Sequence, residues 1–302
     1  MILVWIVAVL WLAALVSAQP ALSAPADSAA ALQARYAALA GKLQHTAFQR
    51  PLVLESSETD RALTGDIYAR VDYPFATVSR ALNNPQHWCD VMILHLNTKF
   101  CRADSQADHT RLAVRIGKKT PQSLTDAHLI EFNYRAAEVT PRYLAIKLDA
   151  PSGPLGTRDY RIQLQAIPVG SGQTFLHLTY TYGYGTAGRL AMKSYLATLG
   201  RDKVGFTRIG QQSNGQPDFI DGMRGVAERN TMRYYLAIDA YLGALSAPPA
   251  RQLQTRLLGW FNATEQYPRQ LHEIERDAYL DMKRNEYRRQ NRMISNSRAA
   301  PL

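Results

Sequence analysis

Two cysteines, Cys89 and Cys101, are all the thiols in this 302-residue chain. Two sulfurs make half of a tetrahedral zinc site. His87 and His95 lie nearby, but no spacing matches a zinc motif, so no metal is expected. The seven histidines are scattered. There is no G-x-S-x-G and no H-E-x-x-H, which removes the sequence signatures of α/β-hydrolases and zincins. A triad assembled in space leaves no such signature, so no catalytic residue is named and no cofactor is expected. Internal repeats are also missing. Acid is in deficit: 35 Lys and Arg against 25 Asp and Glu give a formal net charge of +10 and a sequence pI near 9.6. That balance favours anionic partners and is silent on fold. Nucleic acid is the weakest of these, because the basic residues are not interleaved with a recognisable nucleic-acid fold. With 46% hydrophobic and 20% charged residues, the chain has the means for a substantial core.

Basic residues are missing from the start as well, the first being Arg35. The run MILVWIVAVLWLAALV is apolar from Met1 to Val16 and is followed by the small-x-small site Val16-Ser17-Ala18, with Leu22-Ser23-Ala24 as a weaker alternative. Residues 1–24 therefore read as a signal peptide, despite lacking the usual positive n-region. The expected location is periplasmic or secreted; retention of the segment as a membrane anchor is the alternative. In an exported chain an even cysteine count predicts a Cys89–Cys101 disulfide, with two reduced core thiols as the alternative.

Residues 25–59 read as a linker and an Ala-rich helix, Ala29 to Leu43, followed by an irregular stretch from Gln49 to Arg61. The body spans residues 60–247. LTGDIYARVDY (Leu63–Tyr73) alternates as a half-buried strand. Pro74 stops it, and Phe75, Val78 and Leu82 then fall at helical spacing, up to Asn83-Asn84-Pro85. A strand is expected over Val91–Phe100. Further alternating runs follow at Arg111–Ile116, His128–Ala136, Tyr143–Asp149, Arg158–Ile167 and Thr174–Tyr184, with turn signals between them. Short connections between such strands imply an antiparallel sheet. Helices are expected over Ala187–Leu199 and Phe219–Leu245. A candidate short strand, Lys203–Ile209, and a polar loop, Gln211–Pro217, lie between them. Residues 248–302 read as a helical extension, Arg251–Thr264 and Pro268–Arg292, ending in a basic tail.

Gly183, Gly185 and Gly188 spell G-x-G-x-x-G between a strand and a helix. A dinucleotide turn follows a strand buried on both faces and precedes an acid about 20 residues on, at the end of a second strand. Here the preceding strand alternates tyrosines with polar residues, and Asp202 comes before the candidate strand Lys203–Ile209. The glycines read instead as the corner where a meander ends and a helix begins.

The segment VDYPFATVSRALNNPQHW, Val71 to Trp88, resembles the START-like, or helix-grip, superfamily, as does the order strand, helix, long meander, long helix. Pro74, Val78, Leu82, Pro85 and Trp88 fit its pattern, while Asn84 stands where Asp is commoner. The resemblance covers roughly residues 60 to 245. It implies an α+β helix-grip fold, a curved antiparallel sheet wrapped around a long C-terminal helix; the extra helices expected at both ends lie outside the resemblance. It also implies a cavity between sheet and helix that often holds an apolar ligand; the function expected here is binding or carriage of a hydrophobic or amphiphilic, lipid-like molecule without chemistry. The aromatic side of the strands, Phe132, Tyr134, Tyr160, Tyr180 and Tyr182, suits such a pocket, since tyrosine joins an apolar ring to a polar tip. Filling a core against the helix is the alternative. Arg158 shares the alternation of Tyr160, which would point it inward toward an anionic head group; a place at the strand mouth in water is the alternative. An enzyme on the same scaffold and a membrane-anchored interaction protein are the other functional classes.

Within the long helix, Glu228 is expected to pair with Arg224 one turn away. Asp159 and His177 fall on the polar side of neighbouring strands. In the tail, Lys283, Arg284, Arg288, Arg289, Arg292 and Arg298 face a single acid, Glu286. They read as a solvated helix end whose cations complement the dipole, with adhesion to an anionic membrane surface as the functional alternative.

Overall fold

A computed structural model describes residues 27–106, 109–186, 188–190 and 203–299. The N-terminal apolar run and most of the helix expected over Ala187–Leu199 lie outside the described residues. Ser28 caps α1 (Ala29–Gln44) by accepting a hydrogen bond from the Ala31 amide. There follow β1 (Leu52–Glu58), β2 (Ala62–Val71), α2 (Phe75–Leu82), α3 (Pro85–Met92), β3 (Thr98–Ser105), β4 (Thr110–Ile116), β5 (His128–Thr140), β6 (Tyr143–Ser152), β7 (Thr157–Val169) and β8 (Gln173–Tyr184). A small hairpin, β9 (Arg208–Gln211) and β10 (Pro217–Phe219), leads to α4 (Gly222–Gly243). The chain closes with α5 (Pro249–Thr264), α6 (Pro268–Leu271) and α7 (Arg276–Ala299). Among the described residues no helix is long and apolar enough to cross a membrane.

The eight long strands form one antiparallel sheet in the order β1-β2-β8-β7-β6-β5-β4-β3, curved but not closed. Alternation, broken at a few register shifts, divides it into two faces. Leu63, Ile67, Leu164, Leu178 and Tyr182 belong to a large core that also holds Ala227, Leu236 and Tyr241 of α4. Tyr68, Tyr143, Ile167 and Phe175 point the other way, into a smaller core under Leu32, Leu39 and Leu43 of α1. The N-terminal helix thus covers part of the sheet face that alternation marks as polar. Helix α4 approaches the sheet closely at Gly65, where a Cβ would collide with Thr231 and lie 3.3 Å from the Ala227 carbonyl. Absence of a side chain is what seats the helix there.

Four local expectations differ from the structure. The stretch read as irregular contains β1, whose pairing with β2 (Leu54 opposite Ile67) creates a strand that its own sequence pattern barely marks. Val91–Phe100 is not a strand throughout. Asn84 follows α2 and caps α3, accepting from the Gln86 amide with Pro85 in the first turn. His87 and Trp88 then bond back to the carbonyls of Ala81 and Leu82, at 2.7 and 2.8 Å, satisfying the end of α2. The last helix is broken after Leu271. There Glu273 turns inward to Arg233 (2.8 Å) and Lys119 (2.6 Å), ion pairs that an uninterrupted helix would not place. Finally, Glu228 does not pair with Arg224. Its carboxylate accepts from the amides of Phe206 and Thr207 and the hydroxyls of Ser56 and Thr207, while Arg224 donates to Ser56.

Cys89 and Cys101 are joined, with Cα atoms 5.1 Å apart, tying α3 to β3. Closing so short a loop contributes about 3 kcal/mol in the chain-entropy model. The glycine-rich corner is present: β8 ends at Tyr184, and the Arg189 amide bonds the Gly185 carbonyl in a helical turn. None of Gly183, Gly185 and Gly188 adopts a positive φ. The reason for glycine at 188 is close approach, since a Cβ there would stand 3.3 Å from the Leu155 carbonyl.

Candidate functional site

The strands bring the predicted aromatic set together on the inner face. Tyr160 on β7 stacks on Tyr182 of β8, centroids 5.4 Å apart, and meets Phe132 of β5 edge-on at 6.4 Å. Tyr180 lies 5.6 Å from Tyr182 and 5.3 Å from Tyr234 of α4. His95, in the turn after α3, stacks on Tyr234 at 4.9 Å. Tyr134 is buried in the same core and donates to the Leu82 carbonyl at 3.5 Å. Sequence reasoning missed Tyr234 and His95. Tyr234 is marked only by its place on the long helix, and nothing in the sequence aims His95 at it.

Burial governs the chemistry of this cluster. It pushes the tyrosines up: Tyr180 well above the ordinary phenol value, Tyr160 and Tyr182 also. At Tyr182 the nearby charge of Arg229 opposes that rise. His95 is held well below the usual imidazole value, first by burial and then by the positive charges of Arg233 and Lys283, so it is neutral near pH 7. The Tyr160 hydroxyl shares a hydrogen bond with Thr157 at 2.8 Å. The Tyr182 hydroxyl is buried with no partner among the described residues. An orphaned hydroxyl in a ring-lined interior is costly, and a polar group brought by a ligand would satisfy it.

Arg158 is not beside these rings. The β7–β8 register shifts between Arg158 and Arg161, and Asp159 takes a positive φ of 52°. This irregularity turns the Arg158 side chain outward, 51% exposed and 3.4 Å from Asp159. Tyr160 keeps its inward direction. His177 pairs with Asp66 (2.8 Å) and stacks on Tyr68 (4.1 Å), but on the outer face, under α1. No acid–base pair with the rings arises from it. Asp159 is exposed and pairs with Arg158 instead of reaching His177.

Two clefts stand out among the described residues, and neither lies between sheet and α4. One, of about 530 Å³, runs between α7 and the loop at Pro121–Gln122. The other, about 80 Å³, lies over the outer ends of β3, β4 and β5. Among the described residues no group of His, Cys, Asp or Glu is arranged to hold a metal.

An open antiparallel sheet curves over one long helix that follows it in sequence, with α2 and α3 inserted after the second strand. This is the helix-grip fold. The assignment rests on strand order and on α4 lying against the inner face. Solved helix-grip structures similar to this chain include norcoclaurine synthase from Thalictrum flavum. The two chains are 12% identical with a TM-score of 0.33, covering 46% of this chain and 80% of that one. The Zhui aromatase/cyclase from Streptomyces sp. R1128 has 11% identity, a TM-score of 0.31, and coverage of 69% and 95%. Human StAR-related lipid transfer protein 5 has 10% identity, a TM-score of 0.32, and coverage of 56% and 91%. No family model and no curated protein sequence matches the chain.

Proposed function

We propose that this protein is an exported binder or carrier of a hydrophobic or amphiphilic small molecule, held between the inner sheet face and α4. The observation that carries the reading is the ring cluster Phe132, Tyr134, Tyr160, Tyr180, Tyr182 and Tyr234, with a buried Tyr182 hydroxyl that has no partner among the described residues. The rings touch one another in this structure, so a ligand enters by parting them and shifting α4 or the turn that carries His95. Tyrosine suits such a site, because its ring gives apolar contact at low entropic cost and its hydroxyl fixes orientation. The mechanism of this reading is enclosure, with the apolar part of the ligand among the rings. The disulfide supports export, being at home in an oxidising compartment.

Native mass spectrometry and organic extraction of the purified mature protein test this reading. A bound amphiphile in wild type, lost on Tyr180→Ala, is the expected result. Protein that is empty and fails to take up fluorescent fatty acid or sterol probes would sink it. N-terminal sequencing of the mature chain checks export: a new terminus just after Ala18 or Ala24 is expected.

A further inference from the structure

The larger of the two clefts lies outside the ring cluster and has a charge pattern of its own. Its wall is one face of α7, with Asp281, Glu286, Arg288, Arg289 and Arg292, set against Gln122. Behind Glu286 sit two lysines, both fully buried. Lys99 donates to one carboxylate oxygen at 3.0 Å and Lys283 to the other at 2.8 Å. One carboxylate therefore serves two buried ammonium groups, and both its oxygens are taken. Asp281, the other acid of the cleft, is paired with Arg284 at 3.2 Å. Both acids are thus engaged by Lys99, Lys283 and Arg284, and with the three arginines of the wall the cations around the cleft outnumber its two acids. Arg289 reaches the carbonyls of Lys99 and Gln122, at 3.1 and 3.3 Å, which fixes its guanidinium at the cleft floor. Arg288 and Arg292 are exposed at the rim.

A buried charge without a counter-ion is expensive. Excess cation behind a concave, arginine-lined surface is the arrangement that an oxyanion completes, because guanidinium groups match its geometry. We infer that the α7 cleft is a binding site for a phosphate-type oxyanion, seated between Arg288, Arg289 and Arg292. The inference does not rest on a ligand in the sheet–helix interior, and either reading can fail alone. The anion is either a free phosphate group or the head group of an anionic lipid, and these share the chemistry of the site.

The test uses the full chain. Binding of inorganic phosphate is measured by calorimetry at constant ionic strength, for wild type, for Arg288→Gln with Arg292→Gln, and for Arg61→Gln with Arg142→Gln. The last removes equal charge from exposed positions elsewhere. Both altered pairs are at the surface, so the fold is kept, which circular dichroism checks. Saturable phosphate binding is expected in wild type and in the control. Loss of about tenfold or more is expected in the cleft variant, given what a charge-assisted hydrogen bond contributes. Co-sedimentation with phosphatidylcholine vesicles, with and without phosphatidylglycerol, separates the two sources. Lipid binding that the cleft variant alone loses assigns a head group. Phosphate binding lost without any cleft-specific vesicle effect assigns a free oxyanion. Absence of saturable phosphate binding, or equal loss in the control variant, overturns the site.

Discussion

At the scale of single residues, burial sets the behaviour of the interior. Tyr160 and Tyr182 stack on each other, yet among the described residues only Tyr160 has a hydroxyl partner. Their phenylalanine variants should therefore diverge. Tyr182→Phe removes an unsatisfied buried hydroxyl and is expected to stabilise the ligand-free protein by about 1 kcal/mol. Tyr160→Phe takes a partner from the Thr157 hydroxyl and is expected to cost about as much. Urea denaturation of both variants checks the sign. Arg158 teaches a related lesson. Alternation places it beside Tyr160, but a single irregular residue, Asp159 with φ of 52°, reverses it. Period-two reasoning survives only as long as the ladder is regular.

At the scale of elements, α7 keeps Arg288 and Arg292 at the surface but draws one of its basic residues into the interior. Its basic residues read as a solvated or membrane-facing tail. Instead Lys283 is fully buried and donates to the carbonyls of His95 and Thr98, at 2.6 and 2.7 Å. Gln290 accepts from the Cys101 amide at 2.8 Å, and Arg289 donates to the Lys99 carbonyl. The helix thus caps the free edge of β3, which would otherwise expose its backbone to other chains. Two substitutions separate the roles in its ionic cluster. Glu286→Gln leaves two buried ammonium groups uncompensated and is expected to cost about 3–5 kcal/mol. Lys283→Met leaves the Lys99–Glu286 pair neutral and strands two carbonyls, so a smaller loss of about 1–3 kcal/mol is expected. Thermal or urea unfolding of the two variants gives the order, and the reverse order would contradict the shared-carboxylate account.

At the scale of the whole molecule, the C-terminal helices belong to the same core as the sheet. Leu257, Trp260, Phe261, Tyr279 and Met282 are buried in the cluster that holds Leu164 and Tyr182. Truncation after residue 247 is therefore expected to give an aggregating or unfolded chain, visible as loss of near-ultraviolet dichroism. The pH dependence of stability follows from two opposed groups of buried residues. Burial lowers Lys283 from an ordinary 10.5 to about 8, so between those values the unfolded chain binds the extra proton. Its charge penalty is present below about pH 8 and is relieved as pH rises toward 10.5. Tyr180, Tyr234 and Tyr279 are raised above their ordinary 10.0, so their contribution holds below that pH and is lost as pH rises beyond it. Urea midpoints should therefore rise from about pH 8 to about pH 10 and fall above it.

By itself the sequence determined the strand alternation, the long helix after the meander and the inward aromatic set, because these are local periodicities that a half-buried sheet imposes residue by residue. It also marked the cysteine pair. Only the tertiary structure decided β1, α3 in place of a strand, the outward turn of Arg158, the α1 cover on the outer face and the burial of Lys283. Most depend on a partner far away in the chain, such as a neighbouring strand or one carboxylate shared between lysines of β3 and α7; α3 and Arg158 turn on local geometry, a helix cap and an irregular ladder residue. Local pattern carries no record of such partners.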